Sequence, residues 1–429
     1  MLSLIFNPVL IKEDLTMSIP SDVTIFLVAP NVSEQMGGEG MKALQIFQEL
    51  KKLHPNTIQV THERTEAEIV NQLKLPDVLF VRDDAKAIFL WRSKALQWFV
   101  NIWFCQSAIK LIENYVKEKG LNPAKVIVHQ TEPNSPVMPR VIARSFYNVF
   151  GPINGNIYYP KMFRQHEVLS AKLRRIFHIP FQKINRLFFR GATKADLLLI
   201  AGGDRTWSSM RIGGVPEAKM VECLDCGVKD DILNRPRVQH QGQNMRFVHF
   251  GRLVFHKGTA LIIESLAHTQ HPITLDVVGR GPELAHCKAL AKQLNVEDRV
   301  HFLDWYPQHS DLLDSFTHYR GFILPSIEDA NGIVVQEGMA LGLPGICLDW
   351  GGPQLLVEEG VTGYLIKPTS REFIVTQMAQ HLDRLAMDGE LAEKMSIKAR
   401  AKAEEWRWSK VMAEWITHYQ KIIASRSLS

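Results

Sequence analysis

No stretch of this 429-residue chain reaches the roughly 18 uninterrupted apolar residues that a membrane-spanning helix requires. Cysteine is scarce. Five residues, an odd number at irregular spacing, argue against a disulfide framework and for a reducing compartment. Cys223-Leu224-Asp225-Cys226 is a lone C-x-x-C with no second pair and no histidine cluster beside it, so it reads as packing rather than zinc ligation. Repeats and low-complexity tracts are absent, and no convincing D-x-D pair offers a metal-held phosphate site. The excess of basic over acidic residues is small, 50 against 45, and by itself implies no polyanionic partner. The opening Met1-Leu2-Ser3-Leu4-Ile5-Phe6 is too short for a signal-peptide core and lacks basic residues before it. Residues 1–20 are expected to form an N-terminal extension, with Met17 an alternative start, and the protein is expected to be cytoplasmic. What is present is an ordinary globular balance, 46% hydrophobic and 22% charged, at a length that suits two or three domains.

The informative stretch runs from Gly321 to Ile366. Phe322-Ile323-Leu324 is a short apolar run stopped by Pro325-Ser326, as in a buried parallel strand. A polar turn, Glu328-Asp329-Ala330-Asn331-Gly332, opens a helix over Ile333–Leu341, and Gly345–Leu348 is the next strand. In such a strand–helix–strand unit a ligand lies beyond the carboxyl ends of the strands, where Asp329 sits. Ile333, Glu337 and Leu341 fall at i, i+4 and i+8, so Glu337 places a carboxylate on a stripe that should be apolar. Gly338, Ala340 and Gly342 around it are small. Burying an unpartnered charge costs several kcal/mol, roughly, so Glu337 needs strong donors. Two ribose hydroxyls would serve, and so would a neighbouring Lys, Arg or backbone N–H.

Upstream, Phe247–Phe250 is a strand running into Gly251-Arg252-Leu253-Val254-Phe255-His256-Lys257-Gly258. Gly251 frees the turn, a helix N-terminus follows, and two cations converge where an anion can bind. Leu275–Val278 is another strand, ending in the turn Gly279-Arg280-Gly281-Pro282. In the first half, Val23–Val28 is a strand followed by a loop containing Gly37-Gly38-Glu39, whose glycines allow close approach of backbone to a ligand. Lys125–Val128 leads into His129-Gln130-Thr131-Glu132-Pro133-Asn134. His129 suits either a substrate contact at a strand end or a hydrogen-bonded structural role. The helical region Ile88–Tyr115 carries Trp91, Trp98, Phe99, Trp103 and Phe104, read first as core. From Tyr158 to Lys194, nine basic residues are interleaved with bulky apolar ones against one acid, Glu167. That composition suits an anionic membrane surface, a polyanion or a solvated basic helix pair. Nucleic acid is disfavoured, because no recognition motif accompanies the charge.

These motifs together resemble the acid-x7-acid signature of retaining, nucleotide-sugar-dependent glycosyltransferases of the GT-B fold, family four. The match rests on Pro325-Ser326, Asp329, Gly332, Glu337, Gly342-Leu343-Pro344, Gly351-Gly352, Gly360-Val361-Thr362-Gly363 and the Gly251–Gly258 segment. Asp329 replaces the usual first Glu, Asn331 replaces an aromatic residue, and Leu355 stands where a Glu is common. The resemblance implies an α/β chain with two Rossmann-like domains facing a cleft, an acceptor-side domain over 21–227 and a nucleotide-sugar domain over 228–407. Residues 408–429 would be a terminal helix packing back on the first domain. It further implies that Arg252 and Lys257 hold the diphosphate, Glu337 the ribose and Asp329 the donor sugar. Gly37, Gly38, Gly251, Gly281, Asn331, Gly332 and Ile333 would line the donor. On the acceptor side the candidates are His129, Glu132 and Asn154, the last in a Gly151-Pro152-Ile153-Asn154-Gly155 turn similar to that of polysaccharide-assembly members. Gly151 stands where many members carry a His, so no general base is named. No cofactor or metal is implied beyond the nucleotide-sugar donor, and the acceptor would be a saccharide or lipid-linked. A nucleotide-sugar epimerase of the same architecture and a non-catalytic nucleotide-sugar-binding partner are the alternatives.

Overall fold

A computed structural model describes residues 19–92 and 97–427. Most of the expected N-terminal extension, with Met17, lies outside the described residues, as do the side chains of Trp91 and Trp98.

Among the described residues, thirteen strands form two separate sheets, each wholly parallel. The first contains β1 (Thr24–Val28), β2 (Thr57–His62), β3 (Val78–Val81), β4 (Val126–Gln130), β5 (Tyr147–Ile153), β6 (Leu197–Ile200) and β7 (Met220–Glu222), in the order 3-2-1-4-5-6-7. The second contains β8 (Arg246–Phe250), β9 (Thr274–Val278), β10 (Val300–Leu303), β11 (Gly321–Leu324), β12 (Gly345–Leu348) and β13 (Gly363–Ile366), in the order 10-9-8-11-12-13. Several strands, such as β3, β6 and β11–β13, are unbroken apolar runs because helices cover both sheet faces. β2 departs from this pattern. Its Gln59 is 1% exposed, and its amide donates to the carbonyls of Leu27 and Val60, both at 3.1 Å. In each sheet the strand order reverses once, between β1 and β4 and between β8 and β11. Loops leaving the carboxyl ends of those strand pairs splay apart, and a crevice forms between them.

The aromatic region becomes two helices, Ala85–Arg92 and Gln97–Glu118, and buries Trp103 and Phe104 against the first sheet while Phe99 stays exposed. The helix Trp408–Ser427 returns to the first sheet, where Met412, Trp415, Ile416 and Tyr419 pack with Ile25, Leu27, Ile127 and Val149. The two chain crossings between the sheets lie side by side. Val228 N–H donates to Trp406 O at 2.7 Å, and Trp408 N–H to Val228 O at 3.3 Å.

One element of the first half reaches across. Tyr159 and Phe163, on and beside the 3-10 turn Lys161–His166, are buried in the core of the second sheet, with Tyr159 stacked on Phe255 at 6.2 Å. The basic stretch beyond it is one helix, Leu169–Phe188, with Pro180 inside it, rather than a helix pair. Only Ala171 and Gln182 of that helix are buried. Leu169, Leu173, Ile176, Phe177, Ile184 and Leu187 are all more than two-fifths exposed.

Candidate active site

The crossover point of the second sheet gathers the residues singled out after β8 and β11. Gly251 takes φ +147°, with open space where a Cβ would stand, and Arg252 behind it is exposed. Gly258, at φ +72°, opens the helix Thr259–Leu266, and a Cβ there would lie 2.4 Å from Pro325 O. The β8 and β11 loops thus touch backbone to backbone, which brings Lys257 against the acid turn. Its Nζ lies 2.6 Å from Asp329 Oδ2, both side chains about five-sixths buried. Gly332 N–H approaches Asp329 Oδ1 at 3.3 Å, and Gly332 itself, at φ +66°, starts the helix Ile333–Ala340. Gly281 packs on the loop after β8, where a Cβ would lie 2.1 Å from Leu253 O.

Glu337 is 14% exposed, and its Oε1 lies 3.0 Å from Nε2 of the half-exposed His309, the first residue of the helix His309–Ser315. The partner is a His rather than a Lys, Arg or backbone N–H. That hydrogen bond raises the His309 pKa above its ordinary value against the opposing pull of burial. Ile333 packs toward the first domain, and Gln336 Nε2 donates to Cys226 O at 2.9 Å.

The crossover point of the first sheet lies on the other side of the cleft. Gly37 and Gly38 are the first residues of the helix Gly37–Leu53 rather than a loop, with nothing within 4 Å of where their Cβ atoms would be. Between this helix and the loop after β4 lies a cavity of about 1070 Å³. Glu39, Glu132, Asn134 and Asn154 line it from the first domain, and Glu328 and Ala330 from the second. Leu173, Phe177 and Phe181 of the amphipathic helix form another wall. Asn154 Nδ2 donates to Ala330 O at 3.0 Å and to Asn331 Oδ1 at 2.9 Å, and Asn154 Oδ1 accepts from Arg205 Nη2 at 3.0 Å. Arg205 also donates to Gly351 O at 3.1 Å, so one half-buried guanidinium bridges the two domains. Burial lowers its pKa to about 10.

His129 and Gly151 belong elsewhere. The His129 ring is fully buried, with Nδ1 2.6 Å from Tyr419 Oη and Nε2 2.7 Å from Gly151 O. Burial drives its pKa down to about 3, so it is a neutral structural bridge between β4, β5 and the terminal helix, and it does not face the cleft. Gly151 lies within β5 at φ +132°, and a Cβ there would stand 2.4 Å from Leu199 O. No side chain fits there, which accounts for glycine in place of His.

Lys42, Arg205 and His309 were missed by sequence reasoning. Lys42 is 2% exposed and contacts Asp225 at 3.0 Å and Glu39 at 2.9 Å. Burial alone would depress its pKa, but the two carboxylates reverse that and raise it. A signal existed: Lys42, Ile46 and Leu50 fall at helical spacing, a charge on an apolar stripe just as at Glu337. Arg205 and His309 carried no such pattern.

Two parallel α/β domains whose crossover points face one cleft, cations and an acid turn on one side and hydrogen-bonding side chains on the other, constitute the GT-B architecture. The sequence pattern described as glycosyl transferases group 1 matches residues 230–402. An uncharacterized glycosyltransferase of Haemophilus influenzae is 31% identical over 177 residues, 40% of this chain and 48% of that protein. The chain thus spans about half the length of that curated relative. The apo form of the lipopolysaccharide outer core galactosyltransferase WaaB shares the fold at TM-score 0.63 and 16% identity, over 94% of this chain and 99% of that one. Anabaena HepE in complex with UDP does so at TM-score 0.62 and 16% identity, over 93% and 100% of the two chains. Among the described residues, no helix is long and apolar enough to cross a membrane, and no group of three or more His, Cys, Asp or Glu could hold a metal ion.

Proposed function

We propose that this chain transfers a sugar, with retention of anomeric configuration, from a nucleotide-sugar donor to a saccharide or lipid-linked acceptor in the synthesis of a cell-surface polysaccharide or glycolipid. The observation that carries this reading is the convergence of Lys257, Asp329 and the Asn331–Ile333 backbone at one crossover point, tied by Asn154 to the acceptor-side cavity. Arg252 and Lys257 neutralise the departing diphosphate, where negative charge develops. Lys257 is already paired with Asp329. An entering diphosphate shares Lys257 and leaves the Asp329 carboxylate to accept from sugar hydroxyls. Glu337 accepts from the ribose. Gly37 and Gly38, bare on the opposite wall, let backbone approach the donor.

The helix Leu169–Phe188 supports a peripheral membrane contact. It presents Lys172, Lys183 and Arg186 beside exposed apolar side chains, the pattern of an interfacial helix. Because the same helix walls the acceptor cavity, an acceptor anchored in the bilayer would enter from that face.

A thermal-shift screen against a panel of nucleotide sugars tests the donor assignment. A cognate donor at a hundred times its Kd stabilises the folded state by about 2.7 kcal/mol. No shift with any nucleotide or nucleotide sugar defeats it.

A further inference from the structure

Glu132 lies two residues beyond the end of β4, at the acceptor-side crossover point, and lines the 1070 Å³ cavity. It is 7% exposed, yet Oε1 has no hydrogen-bond partner among the described residues. The side-chain oxygen Oδ1 of Asn134, which lines the same cavity, is likewise buried and unpartnered, while its side-chain nitrogen Nδ2 donates to Glu39. Buried acceptors that the fold leaves unpaired are costly unless a ligand supplies donors. Two acceptor atoms therefore select a ligand rich in O–H or N–H groups, such as the hydroxyls of a saccharide, over a phosphate.

Ala330, next to the sugar-orienting Asp329, lines the same cavity. A hydroxyl bonded to Glu132 therefore lies in the same cavity that the acid turn lines at Ala330. Resting on the transferase reading above, we propose that Glu132 binds the acceptor hydroxyl and takes its proton as the new glycosidic bond forms. The hydroxyl O–H bond breaks and its oxygen bonds to the anomeric carbon on the same face that the diphosphate leaves, so configuration is retained. The anomeric C–O bond to phosphate breaks, its electron pair leaves with the diphosphate, and the proton ends on the Glu132 carboxylate. This fills the role that Gly151 cannot.

The surroundings suit a base. Burial, reinforced by Glu39, raises the Glu132 pKa to about 7, while Lys42 and Arg64 pull the other way. A proton acceptor is most effective when its pKa lies near the working pH. Glu39 and Lys42 face it from the helix Gly37–Leu53, Arg64 from the turn after β2, and Cys105 from the helix Gln97–Glu118. Arg174, His178 and Glu328 line the same cavity.

The test measures nucleoside-diphosphate release from whichever nucleotide sugar stabilises the protein, with water and with methyl α-D-glucopyranoside as acceptors, between pH 5.5 and 9. Wild-type turnover rises with pH through about 7 and then levels. Glu132→Gln lowers it about 10²-fold or more and removes the pH dependence, with nucleoside-diphosphate affinity unchanged. Formate partly restores Glu132→Ala, an effect that a purely structural side chain would not give. Wild-type turnover and pH profile in Glu132→Gln, with donor binding intact, overturn the proton role and leave the transferase reading standing. No binding of any nucleotide sugar, or binding without diphosphate release, overturns that reading and this proposal with it.

Discussion

Replacing Glu132 by Gln should make the protein less active and more stable at once. The carboxyl is buried beside Glu39, and its pKa rises from an ordinary value near 4.5 to about 7. In the unfolded chain it ionises near pH 4.5, whereas in the folded protein it keeps its proton until about pH 7. Folding therefore takes up a proton in that window, and stability falls as pH rises through it. Below pH 4.5 both states are protonated and nothing is lost. Above pH 7 the loss is complete. At 1.36 kcal/mol per tenfold change in proton affinity, the loss is about 1 kcal/mol at pH 5 and about 3 kcal/mol at pH 8. Gln has the same shape and no ionisation, so Glu132→Gln should exceed wild type by about 2 kcal/mol more at pH 8 than at pH 5. Urea unfolding at the two pH values measures this, with the buried Trp103 on the neighbouring helix among its fluorescent reporters. A stability difference that does not grow with pH would refute the account of Glu132 as a buried acid. A residue that lowers stability where it is ionised is one whose retention function must explain.

Arg252→Ala and Lys257→Ala should each weaken nucleoside-diphosphate binding by roughly 10- to 150-fold, equivalent to about 1.5–3 kcal/mol per charge-assisted bond. Unchanged affinity in both, read by calorimetry, would defeat the diphosphate assignment. Glu337→Gln should weaken nucleotide binding and lower the His309 pKa, since the Glu337 hydrogen bond is what raises it. The His309 ring keeps its proton below the ordinary His value of 6.5 and loses it as pH rises through the raised one, which an NMR titration of the ring follows. Anionic vesicles at low salt should retain the protein through Leu169–Phe188, at about 1 kcal/mol per nearby Lys or Arg. Added salt and the double change Lys172→Glu with Lys183→Glu should release it. Equal retention by neutral vesicles, or none by either, would leave the helix without its membrane role.

The donor-side unit was legible almost to the residue. Gly345–Leu348 is the strand expected, and the helix expected over Ile333–Leu341 spans Ile333–Ala340. Both faces of that sheet are buried, so apolar runs and glycine stops report directly on structure there. β2 escaped notice because Thr57, Gln59 and Thr61 read as polar, although side-chain hydrogen bonds let Gln59 lie in the interior. His129 looked like a site residue because a His at a strand end is chemically ambiguous. Its role was settled by Tyr419, 290 positions away. Arg205 had the same problem in reverse, since its partners Asn154, Gly155 and Gly351 come from two distant segments. Charge on an apolar stripe, the pattern that exposed Glu337, would also have found Lys42.

The burial of Tyr159 and Phe163 in the second sheet's core bears on how this chain can be recombined with others. A chimaera that joins the two halves at the crossing near Val228 would pair a foreign first half with a second half lacking its plug. Phe255 would lose the ring stacked on it, and Trp350 the Tyr158 carbonyl to which its indole donates at 2.9 Å. A working exchange of donor specificity must therefore transplant residues 158–166 together with the second half, as an internal graft. The unit of modularity in this chain is discontinuous, and its boundary follows side-chain burial rather than the order of the sequence.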